Sequence, residues 1–226
     1  MMPVAIVFDL FGTLLDIASL QAAAAQYTSD PAALVATWRE KQIGYAFAGT
    51  IMNRYEDFDA LTLRALEYAA ARHGLDSADR AWSALADHWQ RVRPYPDATP
   101  ALALLRGSAM RCAVLTNGTP ATARAALQSA GLTNAIEVVL SVDAVRVYKP
   151  AARVYALATE YFATAAERLV FVTSNGWDAT GAAAFGLRVV WCNRADAPAE
   201  TFGPPPAATI RDLRELPQVV ADLSAR

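Results

Sequence analysis

Five short runs of apolar, largely β-branched residues limit what this chain can become: PVAIVF at 3–8, RCAVLT at 111–116, EVVLS at 137–141, RLVFVTS at 168–174 and RVVWC at 188–192. Each is hydrophobic along its length rather than alternating, the pattern of a strand buried on both faces of a parallel sheet. Helical spacing follows or precedes the last four, near 97–106, 120–131, 151–162 and 177–185. Strand and helix in alternation predict crossover connections, and with them an α/β fold built on a Rossmann-like parallel sheet.

The first run stands apart from the others. From about residue 15 to 93 the pattern is helical throughout, in ASLQAAAAQY, DPAALVATWREKQIGYAF, YEDFDALTLRALEYAAARHG and SADRAWSALADHWQRV. Asp30 before Pro31 has the form of an N-cap with proline at the first helical position, and Gly74 suits a helix end. Because the first run matches the later strands and not the helices after it, the helical stretch reads as an insertion. The expected organisation is a core of 1–14 and 94–226 with an inserted helical cap domain at 15–93. The Pro-rich stretch APAETFGPPPAAT at 197–209 reads as a surface loop.

Composition narrows the function classes. Of 226 residues, 54% are hydrophobic and 19% charged, enough to build a buried core and too apolar for a disordered chain. The net charge is -2, with Lys and Arg scattered, so no nucleic-acid partner is expected. No apolar run is long enough to span a bilayer, and the N-terminal MMPVAIVFDLFGTLLD is broken by Asp9 and lacks a basic start. It reads as a buried strand. Cys112 and Cys192 lie inside strand-like segments, where buried free thiols are expected, in keeping with a cytoplasmic protein.

In an open parallel sheet, ligands gather at the carboxyl ends of the strands, and Asp9, Thr116, Ser141 and Thr173 stand at or beside such ends. In FDLFGTLLD (8–16), a carboxylate, a glycine turn and Thr13 within reach suit a nucleophile held in one rotamer; alone, they suit a turn-capping Asp equally well. LTNG (115–118) offers a hydroxyl, an amide and backbone N–H groups to a carboxylate or phosphate oxygen. YKPAARVY (148–155) sets Lys149 before a helix-opening proline, with Tyr155 two turns on. VTSNGWDATGA (172–182) packs Ser174, Asn175, Trp177 and Asp178 more densely than capping requires.

DxFGT, TN, KP and SNxWD, in this order and at these separations, resemble the four motifs of the haloacid dehalogenase superfamily across the whole α/β core. WREKQIGYAF (38–47) and RYEDF (54–58) in the helical stretch are similar to the L-2-haloacid dehalogenase branch. Superfamily phosphatases carry a second Asp two residues after the nucleophile and acidic metal ligands in the last motif. Here Phe11 takes the first place and Ser174 and Asn175 the second, leaving Asp178 as the one carboxylate, so no metal and no cofactor are expected.

The resemblance implies that Asp9 attacks C2 of an L-2-haloalkanoate to form an ester, and that water activated by Asp178 releases a D-2-hydroxy acid. Lys149 would keep both carboxylates ionised, while Arg39, Asn117 and Trp177 would cradle the halide. The substrate carboxylate would meet Thr116, the N–H groups of Leu10 and Asn117, and Ser174. Phe11, Ile43, Phe58 and Trp177 would supply apolar walls, with Asn175 and Tyr155 completing the binding residues. The partners implied are a small carboxylate substrate and a second copy of the chain, a homodimer, with no membrane involved.

This sequence departs from the dehalogenase pattern at Phe11, where Tyr is usual, and at Thr116 and Thr173, where Ser is usual; the added methyls narrow the space for substrate. Three other readings stay open. They are an Mg-dependent phosphatase, a carbon-attacking hydrolase acting on fluoroacetate or opening azetidine-2-carboxylate, and a non-catalytic binding protein. The last is disfavoured because Asp9, Lys149 and Asp178 are all kept.

Overall fold

The computed structural model describes residues 3–75, 81–108 and 110–225. All five expected runs form strands: β1 (Ala5–Phe8), β2 (Arg111–Thr116), β3 (Val138–Ser141), β4 (Leu169–Thr173) and β5 (Arg188–Cys192). A sixth, β6 (Ala208–Ile210), was not expected and takes up the end of the stretch read as a surface loop. Its three residues follow a proline run too closely for a period-two pattern to show, and pairing with β5 holds it in place. The sheet is wholly parallel in the order β3-β2-β1-β4-β5-β6.

Nine α-helices are described: α1 (Gln21–Ala24), α2 (Pro31–Ile51), α3 (Phe58–Arg72), α4 (Ala81–Ala86), α5 (Ala98–Gly107), α6 (Pro120–Ser129), α7 (Ala152–Phe162), α8 (Gly176–Phe185) and α9 (Leu216–Ala225). The Asp30 carboxylate caps α2 by accepting from Ala33 N–H, with Pro31 in the first turn as expected. Gly74 follows the end of α3 at φ +69°, a conformation that glycine adopts without strain. The helix expected at 18–27 is instead a 3-10 turn at Ile17–Leu20 running into the four-residue α1. Of the helix expected at 77–92, residues 77–80 lie outside the described residues; the rest is α4 followed by a 3-10 turn at Asp87–Arg91.

Side chains of the sheet alternate between two apolar layers, as the period of a strand requires. Ile6, Phe8, Val114 and Val172 pack with α5, α6 and α9, and this layer continues into Trp38, Leu66 and Trp89 of the helical stretch. Val7, Leu115 and Phe171 face the other way, against α7 and α8. Cys112 and Cys192 are buried and free. Among the described residues no helix is long and apolar enough to cross a membrane.

This topology decides where a site can form. The chain runs outward from β1 to β3 and then returns across the sheet to β4, so the loops after β1 and β4 diverge and leave a crevice at the strand ends. Asp9 follows β1 directly, and Ser174 to Asp178 follow β4.

Candidate active site

Gly12 at φ +90° turns the chain back just after Asp9. The turn brings the Thr13 hydroxyl to 2.9 Å from Asp9 Oδ2, and Asn175 Nδ2 donates to the same oxygen at 2.9 Å. Lys149 Nζ approaches Asp9 Oδ1 from the other side at 3.0 Å. With both oxygens engaged, the carboxylate is locked in one rotamer.

Lys149 also lies 3.0 Å from Asp178 Oδ2, so a single ammonium, 1% exposed, bridges two buried carboxylates. The Tyr155 hydroxyl donates to Asp178 Oδ1 at 2.6 Å. That contact needs α8 close to α7 at Gly181, where a Cβ would come within 2.8 Å of the Tyr155 oxygen and 2.4 Å of Pro150 Cβ. Burial raises Asp178 above its ordinary carboxylate value and the Asp9 charge adds to this, against the opposing pull of Lys149 and Tyr155. For Lys149, burial works against the charge, but Asp178 and Asp9 outweigh it and keep the ammonium above its ordinary value. The lysine stays charged, and Asp178 is suited to accept a proton.

The flanking residues hold this cluster together. Asn117 Oδ1 accepts from the Lys149 backbone N–H at 3.0 Å, and Thr116 Oγ1 accepts from Gly118 N–H at 3.0 Å. The Ser174 N–H donates to Thr13 Oγ1 at 2.9 Å, so the loop after β4 steadies the residue that steadies Asp9. The Ser174 hydroxyl is engaged from the far side by Arg194 Nη1 at 3.0 Å. Thr173 Oγ1 accepts from Asn175 N–H at 3.1 Å, a task its hydroxyl performs whether or not the methyl is present.

The opposite wall comes from α2. Arg39 lies near enough to Asp9 and Asp178 for both to raise its pKa, although burial, the larger effect, pushes it down to about 10. Its guanidinium lies over the Trp89 ring at 5.7 Å from the centroid and donates to Gln42 Oε1 at 2.6 Å. Phe11 meets Trp89 edge to face at 5.0 Å, and Phe47 of α2 meets Trp177 in the same way at 5.2 Å. Leu10 is fully buried beside Asp9, and Phe58 packs on Tyr148 at 5.6 Å. Ile43 packs, partly buried, with the layer on the α7 side.

Asp9, Thr13, Lys149, Tyr155, Asn175 and Asp178 thus form one hydrogen-bonded network, with Asn117 and Ser174 tied to it through backbone groups. Arg39 and Trp177 stand around it without a direct hydrogen bond into it. Sequence reasoning missed Arg194 and Asp97. Arg194, just after β5, donates to the Thr13 carbonyl at 3.0 Å and forms a two-pronged pair with Asp97 at 2.9 and 3.0 Å; with its bond to the Ser174 hydroxyl it ties the β1 loop to the β4 loop. In the sequence, Asp97 looks like a cap for α5 and Arg194 like a surface charge. Among the described residues, no group of three or more His, Cys, Asp or Glu is placed to hold a metal ion.

A family model described as haloacid dehalogenase-like hydrolase matches residues 4–186. The (S)-2-haloacid dehalogenase H-109 of Pseudomonas putida is 37% identical over 96% of this chain and 97% of its own length. The crystal structure of the L-2-haloacid dehalogenase RSc1362 superposes with a TM-score of 0.94 at 38% identity, covering 98% of this chain and all of that one. That of L-2-haloacid dehalogenase from Xanthobacter autotrophicus with chloropropionic acid covalently bound superposes at 0.91 with 33% identity, over 97% and 99% of the two chains. By sequence along most of its length, and by a fold that sets an aspartate at the end of the first strand, this chain belongs to the haloacid dehalogenase-like hydrolase family.

Proposed function

We propose that the chain hydrolyses L-2-haloalkanoic acids to D-2-hydroxy acids through an ester on Asp9, without a metal ion. The observation that carries this reading is Lys149 Nζ set 3.0 Å from both Asp9 and Asp178. A buried protein ammonium supplies the positive charge between the two carboxylates, and all four carboxylate oxygens of the pair accept hydrogen bonds from side chains. Such a donor set does not fit Mg, which asks for oxygens open to it in an octahedron. The relatives named as (S)-2-haloacid dehalogenases, and the one with chloropropionic acid covalently bound, support the same reading.

In the first step an Asp9 oxygen forms a bond to C2 while the C2–halogen bond breaks. The halide leaves with the bonding pair and C2 inverts. Arg39, Asn117 and Trp177 receive the halide, and Thr116, Ser174 and the N–H groups of Leu10 and Asn117 hold the substrate carboxylate. Phe11, Ile43, Phe58 and Trp177 wall the alkyl chain. In the second step water attacks the Asp9 carboxyl carbon and gives its proton to Asp178. The bond from that carbon to the ester oxygen, originally one of Asp9's own, then breaks; that oxygen takes back the proton held by Asp178 and leaves as the product hydroxyl, while one water oxygen stays on Asp9, which ionises again. Lys149 offsets charge in both steps, while Thr13 and Asn175 aim Asp9 and Tyr155 aims Asp178.

The same proposal divides the chain into a core of 1–14 and 94–226 and a cap of 15–93 that supplies Arg39. The cap docks on the core through Asp59 on α3, which accepts from the Thr119 and Thr122 hydroxyls at 2.8 and 2.9 Å, and through the Tyr148 hydroxyl, which donates to the Glu56 carbonyl at 2.5 Å. It also takes the protein to be a cytoplasmic homodimer. Ile51 and Met52, exposed side by side at the end of α2, offer a self-association point, and sedimentation at low concentration tests it. Halide release from L-2-chloropropionate that persists in EDTA is the expected result. Magnesium-dependent hydrolysis of p-nitrophenyl phosphate without halide release would instead support the phosphatase reading.

A further inference from the structure

Gln42 is fully buried in a helix whose inner face is otherwise apolar, and Thr62 on α3 is buried opposite it. A buried amide is costly unless its groups are paired, and these are. The Thr62 hydroxyl donates to the Phe58 carbonyl one turn back at 2.6 Å, which uses its one proton. Toward Gln42 it can only accept, and it does so from Nε2 at 2.5 Å. That contact settles which way the amide faces, so Oε1 points at Arg39 and accepts from Nη1 at 2.6 Å. The reversed amide would set donor against donor at Arg39 and acceptor against acceptor at Thr62. Trp38 Nε1 meanwhile donates to the Thr62 carbonyl at 2.7 Å, pinning the residue before Arg39 to the same turn of α3.

We infer that Phe58, Thr62 and Gln42 form a one-way hydrogen-bond relay that aims the Arg39 guanidinium at the departing halide, making Gln42 and Thr62 positioning residues for carbon–halogen cleavage. The inference rests on the proposed dehalogenation. A guanidinium held on one edge by Gln42, and lying over Trp89, keeps its remaining N–H groups for the leaving group. Because the relay ends at Arg39 and does not touch Asp9 or Asp178, it acts on the first step and not on ester hydrolysis.

The test compares Thr62→Val, Thr62→Ser and the double variant Thr62→Val/Gln42→Met in pre-steady-state halide release from L-2-chloropropionate and L-2-bromopropionate. Thr62→Val removes the acceptor and should slow chloride release about tenfold, with a smaller loss for bromide, the better leaving group. Thr62→Ser keeps the hydroxyl and should restore most of the rate. The double variant replaces both buried polar partners with apolar groups, so its melting temperature should return toward that of the unmodified protein while chloride release stays slow. If release recovers together with melting temperature, or if chloride and bromide slow equally in every variant, the pair is mere glue between α2 and α3 and the relay is overturned. Failure of the unmodified protein to release halide at all would instead sink the dehalogenation reading.

Discussion

The two sides of the crevice are built on different principles. On the floor, formal charges meet directly: Lys149 bridges Asp9 and Asp178 at 3.0 Å each, and every member is buried. On the wall, Arg39 is held at one remove, through the neutral Gln42 and Thr62 and the Trp89 ring. Buried charges are stable only when paired, so the floor is rigid by necessity, whereas a guanidinium leaning on neutral groups keeps its charge available to an incoming anion. The contrast matches the proposed chemistry, since the floor serves both steps and the wall only the departure of halide. Substitutions on the two sides should therefore fail in different ways.

The largest expected effect is on the floor. Asp178→Asn removes the proton acceptor for ester hydrolysis while leaving Asp9 able to attack, so turnover should fall about 10⁴-fold or more with one halide still released per protein chain. Intact mass should then rise by the haloacid minus hydrogen halide. Loss of that single burst would mean Asp178 acts before the ester forms, blurring the distinction between floor and wall.

Arg39→Lys should give the opposite pattern, a fall of about 10²-fold in the halide burst itself with no ester accumulating. Rapid-quench halide release resolves this. An unchanged burst with slower turnover would assign Arg39 to the second step.

Tyr155→Phe should lower turnover about tenfold, because Asp178 loses the 2.6 Å hydrogen bond that favours its charged form. That bond opposes the upward shift caused by burial, so its removal raises the Asp178 pKa further. As a base, Asp178 works when deprotonated; activity should fall as pH drops through its pKa, and the acid limb of the pH–rate profile should move to higher pH in the variant. An acid limb left in place would assign the inflection to another group.

The smallest effect on chemistry is expected behind the floor. Arg194→Gln breaks the pair with Asp97 and the donor to Thr13 O, and should cost about 2 kcal/mol of stability with only a several-fold loss of turnover. Urea unfolding alongside steady-state assays separates the two quantities.

The floor was far more legible in the sequence than the wall. Strand ends that carry polar residues mark Asp9, Thr116 and Thr173 through local pattern alone, and the clustering of Asn175 and Asp178 after β4 is visible within one eleven-residue run. Arg39 carries no such mark: at one position of a long helix, its function depends on a crevice formed by β1 on one side of it in the chain and β4 far on the other. It was reached through resemblance to known dehalogenases. Gln42, Thr62, Asp97 and Arg194 escaped for the same physical reason, since each is an ordinary helix or loop residue whose partner is fixed only by tertiary packing. The alternation of strand and helix marked out the architecture well, but β6 went unread, since a three-residue edge strand after prolines has too little pattern to detect.

The central claim is that Asp9 attacks carbon and that water later attacks Asp9. A single turnover of L-2-chloropropionate with protein in excess, run in oxygen-18 water and followed by mass spectrometry of the peptide bearing Asp9 and of the product, tests it directly. One heavy oxygen in the Asp9 peptide, with unlabelled 2-hydroxypropionate, is the predicted result. Heavy oxygen in the product hydroxyl, with none in the peptide, would show water attacking C2 directly and would contradict the account.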